Sequence, residues 1–278
     1  MRAATAHEEA MEWVVLGTGT MVPHAERGCA SHALVGDGVA ALFDAGSGAK
    51  DRLARAGIGL DSVTHLVFSH THLDHWADLL TLLFFRAYAP VEIRRPRQVI
   101  VGPTGFREHV RRVCDAADSA LIERNEDLEW IDLAAGDVLD AGWFKATAWP
   151  MTHCDLRALG FRIEGGGASR RWSLAYSGDT EPCDSLVELS RGADCLVCEC
   201  AVAPSDKPSV HMSPDGVRRV ADAARPGKLV LTHLYPEVLV PGMIERAFEG
   251  YEGEWLVASD GTRIALSGDQ PPGENMMG

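Results

Sequence analysis

His70-Thr71-His72-Leu73-Asp74-His75 follows the apolar run His65-Leu66-Val67-Phe68 and opens a stretch, Asp74–Tyr88, with helical periodicity. Four side chains able to hold a metal fall within these six residues, which is more than packing requires. In extended chain the side chains repeat every second residue, so His70 and His72 point the same way. Where the chain turns into the helix, Asp74 and His75 swing towards a second point. One strand-to-helix junction thus offers two ligands to each of two metal ions.

Working outward, short apolar runs alternate with helical patterns. Trp13–Leu16, His32–Val35, Val39–Phe43 and His65–Phe68 read as strands separated by glycine-rich turns. Leu79, Leu80, Leu83 and Phe84 can share a helix face, Val99–Val101 reads as a strand, and a helix is expected from Thr104 to Ala117. Phe144–Trp149, Leu159–Ile163 and Trp172–Tyr176 read as strands, the last two joined by a turn at Glu164-Gly165-Gly166-Gly167. Ser213-Pro214-Asp215 has the N-cap, first-position proline and first-turn acid of a helix start, with an apolar stripe to Ala224 and a strand at Lys228–Leu231. Two antiparallel-rich halves with helices outside predict an α/β fold, a four-layer α/β/β/α sandwich. Residues 1–11 read as a loose leader, 12–267 as a single domain and 268–278 as a flexible tail.

Three further residues stand at predicted strand ends, where loops on a rigid scaffold build sites. His153 follows the strand ending Trp149-Pro150, Asp179 follows Trp172–Tyr176, and His233 follows Lys228–Leu231. Imidazoles and carboxylates without thiolates suit zinc, manganese or iron(II) and disfavour a closed structural zinc site. His7, His24, His65 and His109 lack such positions and read as surface or packed histidines.

The formal net charge is −14, with 46% apolar and 24% charged residues, ordinary for a globular enzyme. A long nucleic acid held through its phosphates calls for a basic excess. The small basic groups (Arg94, Arg95 and Arg97; Arg111 and Arg112; Arg170 and Arg171; Arg218 and Arg219) read as solvated faces instead. No segment has the ~20 apolar residues a membrane span needs, and the first residues have no secretory apolar core, so a cytoplasmic enzyme is expected. Cys195, Cys198 and Cys200 lie in a short apolar run typical of a buried strand; without a second CxxC they are core thiols. Gly17-Thr18-Gly19 lacks the third glycine of a dinucleotide fingerprint, and Gly46-Ser47-Gly48-Ala49-Lys50 is too short for a phosphate loop.

With these residues in view, the chain resembles the metallo-β-lactamase superfamily from Trp13 to about Leu266. Leu16-Gly17-Thr18-Gly19-Thr20 with Pro23 and Arg27, and Leu42-Phe43-Asp44-Ala45-Gly46, resemble its ribonuclease Z-like branch. The resemblance implies His70, His72 and His153 on one metal and Asp74, His75 and His233 on the other, with Asp179 bridging. It also implies a catalytic pairing of Glu199 with His211, beside Asp74. Relatives that process tRNA carry a Gly- and Pro-rich arm, and Phe106–His153 shows ordinary helix and strand patterns in its place.

The function expected is a hydrolase with two divalent ions, zinc first and manganese or iron as alternatives, acting as a phosphodiesterase. Such ions lower the pKa of bound water to about 7 and so supply a hydroxide nucleophile. A small or short phosphodiester substrate fits the acidic charge, tRNA remains an alternative, and a homodimer is among the expected assemblies. Hydrolysis of a carboxylic or sulfuric ester, lactone or thioester is the alternative on the same site. A mononuclear iron dioxygenase and a non-catalytic metal-binding module are further readings.

Overall fold

The computed structural model describes residues 11–89, 97–166, 171–205, 207 and 209–266. The leader (1–10), the tail (268–278), His7, Arg94, Arg95, Arg170 and the turn glycine Gly167 lie outside the described residues. The first half runs β1 (Met11–Gly17), β2 (Ser31–Gly36), β3 (Val39–Ala45), α1 (Ala49–Arg55), β4 (Val63–Val67), α2 (Leu73–Tyr88), β5 (Val99–Pro103), α3 (Phe106–Ala117), α4 (Ala120–Glu123) and β6 (Glu129–Leu133). The second runs β7 (Val138–Asp140), β8 (Phe144–Met151), β9 (Ala158–Gly166), β10 (Arg171–Tyr176), α5 (Asp184–Ser190), β11 (Cys195–Glu199), α6 (Pro214–Ala224), β12 (Lys228–Thr232), α7 (Met243–Ala247), β13 (Glu254–Val257) and β14 (Thr262–Leu266). Met11, expected in the leader, is the first residue of β1.

Two seven-stranded sheets result, ordered β14-β1-β2-β3-β4-β5-β6 and β13-β12-β11-β10-β9-β8-β7. Each is evenly mixed rather than antiparallel-rich. Three neighbouring pairs are antiparallel and three parallel in the first sheet, and the same holds in the second. The reason is the helices: each strand-helix-strand step returns the chain parallel, as a crossover must. β14 leaves the second half and pairs with β1, Trp13 facing Ile264.

The apolar layers confirm the four-layer sandwich. Trp13, Phe43, Phe144, Phe161, Ile163 and Val197 pack between the sheets. Leu42, Leu66, Trp76, Leu79 and Phe106 join the first sheet to its helices, and Leu186, Leu196, Val217, Val220 and Leu229 do so for the second. Cys195, Cys198 and Cys200 are buried free thiols in or just past β11, as a core strand demands. Ser213 caps α6, its Oγ accepting from Gly216 N at 3.2 Å.

Two local expectations are corrected. Glu164, Gly165 and Gly166 belong to β9, because that strand pairs on both edges and Gly165 lies under the Trp172 ring, which a Cβ would meet at 2.3 Å. Phe84 is 55% exposed. It follows Leu83 by one residue, about 100° around the helix, and so leaves the stripe that Leu79 and Leu83 bury. It lines a surface cavity of about 830 Å³ between α1 and α2 that contains none of the candidate site residues.

The basic groups are solvated faces where they can be seen: Arg111 and Arg112 pair with Glu108 on α3, and Arg218 with Asp222 on α6. Among the described residues no helix is long and apolar enough to cross a membrane.

Phe161→Ala, which empties the layer between the sheets, should cost about 3–5 kcal/mol. Val138→Ala on an exposed strand face should stay within about 0.5 kcal/mol. Urea denaturation midpoints measure both, and comparable losses would mean that the two sheets do not share one packed core.

Candidate metal centre

After β4 the chain stays extended through His72, which has φ −70° and ψ 139° and precedes the first helical residue of α2. That extended piece brings the His70 and His72 rings to 4.8 Å. Asp74 and His75 then fall in the first turn of α2, where the helix dipole favours a carboxylate. His153 follows β8, Asp179 follows β10, Glu199 ends β11 and His233 follows β12. All the site-bearing strands therefore deliver their residues at carboxyl ends.

The structure brings every one of the residues expected at the metals into one cluster. Ligand-competent atoms of His70, His72, His153 and Asp179 lie within 4.8 Å of one another, as do those of Asp74, His75 and His233. Asp179 stands between the groups, its Oδ2 3.8 Å from His70 Nε2 and from His153 Nε2 and 3.5 Å from His233 Nε2. Its Oδ1 is 3.2 Å from His75 Nε2. His24, His65 and His109 are outside the cluster; His109 packs edge-on against Trp76.

Hydrogen bonds behind the cluster fix which ring nitrogen faces inward. Ser69 Oγ donates to Asp44 Oδ2 at 2.8 Å, so it can accept from His70 Nδ1 at 2.9 Å. His75 Nδ1 donates to Asp44 Oδ2 at 2.9 Å, and His153 Nδ1 donates to the Val210 carbonyl at 2.9 Å. These bonds turn Nε2 of all three histidines into the cluster. Burial lowers the pKa of His70 and His153 and so keeps their rings neutral. For His75 burial is outweighed by Asp179 and Asp44, which raise its pKa well above the usual value. His72 presents Nδ1 instead, 3.0 Å from His153 Nε2.

The residues fit a divalent cation on physical grounds. His70 Nε2 is buried without any hydrogen-bond partner, an arrangement that costs about 1–3 kcal/mol unless something else occupies it. Burial, with His75 next, pushes the His70 pKa well below its usual value, so the ring stays neutral and free to ligate. Burial works against the charge of Asp179 as well, but His233 and His75 outweigh it and keep the carboxyl ionised.

Glu199 and His211 meet as expected. His211 Nδ1 lies 3.1 Å from both carboxylate oxygens, while Thr180 N and Met212 N donate to the same carboxylate at 2.6 and 3.2 Å. Burial presses the Glu199 pKa upward, and the bond from His211 opposes it without cancelling it. Burial likewise opposes the His211 charge, but the bond to Glu199 prevails and raises its pKa to about 9. His211 can also approach Asp179 and His233 as a ligand-competent group.

Several supporting residues were not among the candidates read from the sequence. Asp44 accepts from Ser69 N (2.8 Å), Ser69 Oγ (2.8 Å), His75 Nδ1 (2.9 Å) and the Tyr176 hydroxyl (2.6 Å). Asp44 and His233 both hold positive φ, 55° and 52°, which is uncommon outside glycine and collects at functional sites. Tyr235 sets its ring 5.7 Å from His211 and 6.1 Å from His233; burial, then the charges of Asp74 and Asp179, push its pKa to about 12. His32 is buried with both ring nitrogens unpartnered, its ring packed against Trp13 at 5.5 Å and Tyr176 at 4.9 Å, and burial lowers its pKa to about 3.

Residues 40–234 match the family model described as the beta-lactamase superfamily domain. The chain is 32% identical over 252 residues, 84% of its length and 86% of the relative's, to the protein named Ribonuclease Z from Mycobacterium sp. (strain KMS). The metallo-beta-lactamase fold protein YhfI from Bacillus subtilis superposes with a TM-score of 0.76 at 23% identity, covering 92% of this chain and 99% of YhfI. Human tRNase Z, short form, gives 0.69 at 22% identity, covering 92% and 99%.

Asp44→Asn keeps the size of the side chain but turns an amide towards donors. It should weaken metal affinity about 10- to 100-fold with the fold retained. Metal titration read against circular dichroism checks this; undiminished affinity would remove Asp44 from the support of the site.

Proposed function

The chain belongs to the beta-lactamase superfamily, in its ribonuclease Z-like branch, and from that premise we propose a binuclear phosphodiesterase. The observation that carries this reading is the pair of candidate ligand groups on either side of Asp179, backed by the hydrogen bond between His211 and Glu199. His70, His72 and His153 would hold one ion, Asp74, His75 and His233 the other, and Asp179 would bridge. Zinc suits this nitrogen-rich set, with manganese or iron as alternatives. Two such ions would bind a phosphoryl oxygen and bring the pKa of a coordinated water to about 7.

The protein's own groups then divide the remaining work. Asp74, at the first turn of α2, would orient the attacking water, and Asp179 would fix the spacing of the site. His211 would hold its proton on Nε2 for the departing oxygen while Glu199 anchors Nδ1, a contribution on the order of 100- to 10,000-fold.

The names of the relatives put tRNA in view as a substrate. Against it stand the net charge of −14 and the segment Phe106–His153, which folds as α3, α4, β6, β7 and β8 without a projecting arm. We favour a small or short phosphodiester, acted on by a single domain over residues 12–267 in the cytoplasm. Ester, lactone or thioester hydrolysis is the second reading, because the same cluster would polarise a carbonyl.

Elemental analysis of metal-replete protein should give close to two divalent ions per chain. One ion per chain would overturn the binuclear site and favour dioxygenase-like chemistry.

His211→Ala should retain the metal content and lose about 100-fold or more in rate with a poor leaving group, yet little with a nitrophenolate, which leaves unaided. Because His211 must be protonated to act and titrates at about 9, the wild-type rate on the poor leaving group should fall as pH rises through that value. The variant should lack this limb. Loss of metal in His211→Ala would make His211 a ligand.

A further inference from the structure

Tyr235 borders the cluster, yet neither the candidate ligand groups nor the pair of Glu199 and His211 uses its hydroxyl. Pro236 follows it and confines it to extended backbone, here φ −72° and ψ 153°, at the start of the 3₁₀ turn Pro236–Leu239. Leu234 before it and Val238 after it are buried, and Leu234 N donates to the Thr18 carbonyl at 2.8 Å. Glu237 Oε1 accepts from Ala203 N at 2.9 Å, and Ala201 N donates to the Met212 carbonyl at 2.9 Å. The turn that carries Tyr235 is thus tied to the segment that carries His211, and the two rings keep a fixed relation.

The Tyr235 ring stands 5.7 Å from His211 and 6.1 Å from His233, at 63° and 85° to their planes. Burial first, then the charges of Asp74, Asp179 and Glu199, hold the proton on its phenol. These carboxylates come from α2, the loop after β10 and the end of β11, so the hydroxyl that feels all three faces the cluster they line. Other tyrosine hydroxyls are committed: Tyr176 donates to Asp44 at 2.6 Å and Tyr88 to Asp118 at 2.7 Å. The half-buried Tyr235 has no hydrogen-bond partner for its hydroxyl among the described residues.

Resting on the phosphodiesterase reading, we propose that the Tyr235 hydroxyl donates a hydrogen bond to a non-bridging oxygen of the phosphoryl group under attack. His211 is assigned to the departing oxygen, which leaves the non-bridging oxygens open to another donor. Two such oxygens share the negative charge of a phosphodiester, and the transition state spreads its charge over the equatorial oxygens. Bound ions would meet part of that charge, and a neutral phenol adds to their effect without taking a place among the ligands. The phenol keeps its proton throughout, so the contact makes and breaks no covalent bond. A donor held by the fold before substrate arrives needs no reorganisation at the moment of reaction, and the clamped turn Pro236–Leu239 provides that hold.

The test uses the metal-loaded enzyme with methyl p-nitrophenyl phosphate as substrate and inorganic phosphate as a bound probe. The nitrophenolate leaves without help from His211, so the contact to the phosphoryl group is read by itself. Tyr235→Phe keeps the ring and removes the donor. It should lower kcat/KM about 10- to 100-fold and weaken phosphate binding, measured by calorimetry, about tenfold, with ion content and Tm unchanged. Tyr235→Leu, which removes the ring as well, should fall little further. Wild-type values in Tyr235→Phe, with losses confined to Tyr235→Leu, would overturn the contact and make the ring a packing group. Loss of ions from Tyr235→Phe would overturn it by making Tyr235 a support of the ligands. Wild-type values in both variants would overturn it and leave the phosphodiesterase reading standing. A wild type that turns over no diester would overturn both.

Discussion

Asp44 is where the two halves of this protein are held to a common geometry. It stands just inside the end of β3, in a backbone conformation that L-residues seldom adopt, and gathers donors from three directions. Ser69 belongs to the ligand loop, His75 to the helix after it and Tyr176 to the second sheet. One carboxylate therefore sets the entry of the loop, the orientation of the His75 ring and the distance between the sheets. Ser69 extends its reach to His70, because the hydroxyl that donates to Asp44 is then oriented to accept from the ring. The strain at Asp44, about 1–3 kcal/mol by the usual scale, is offset by bonds that are short and shielded from water.

The sheets explain why the cluster lies where it does. In each sheet the parallel half has its carboxyl ends on one rim, and β4, β10, β11 and β12 place the ligand loop, Asp179, Glu199 and His233 along that rim. β8, from the antiparallel half, adds His153. Ligands from sites so far apart in sequence can converge only if both sheets are rigid. The fully buried layer around Phe43, Phe144 and Phe161 supplies that rigidity.

The sequence revealed the candidate ligands more readily than their supports. His70, His72, Asp74 and His75 were legible because four metal-competent residues crowd one junction, and His153, Asp179 and His233 because each follows an apolar run. The core strands were legible for the same reason, since apolar runs between turns announce themselves. Asp44 was visible only as part of a resemblance, because a lone aspartate after a strand says nothing about four donors arriving from elsewhere. Tyr235 and Tyr176 gave no signal, since an aromatic residue near a strand end reads as packing. α1 and α5, each seven residues long, are too short for periodicity to register. The even mixture of parallel and antiparallel pairs was hidden too, because strand direction is set by long-range pairing that residue patterns do not encode.

The crossing of β14 into the first sheet has a consequence for the order of assembly. β1 can pair with β2 as soon as both have been synthesised, but its other edge waits for a strand made some 250 residues later. Until then Met11–Val15 presents an unpaired edge, the kind of surface that recruits foreign strands. The same late segment supplies Asp260, which receives Thr18 N, Gly28 N and Arg52 and so closes the loop after β1. The first strand is therefore sealed only after β14 has been made. Biogenesis of this chain accordingly favours a long-range, slow final step, during which a nascent-chain chaperone guarding that edge would raise the yield of native protein.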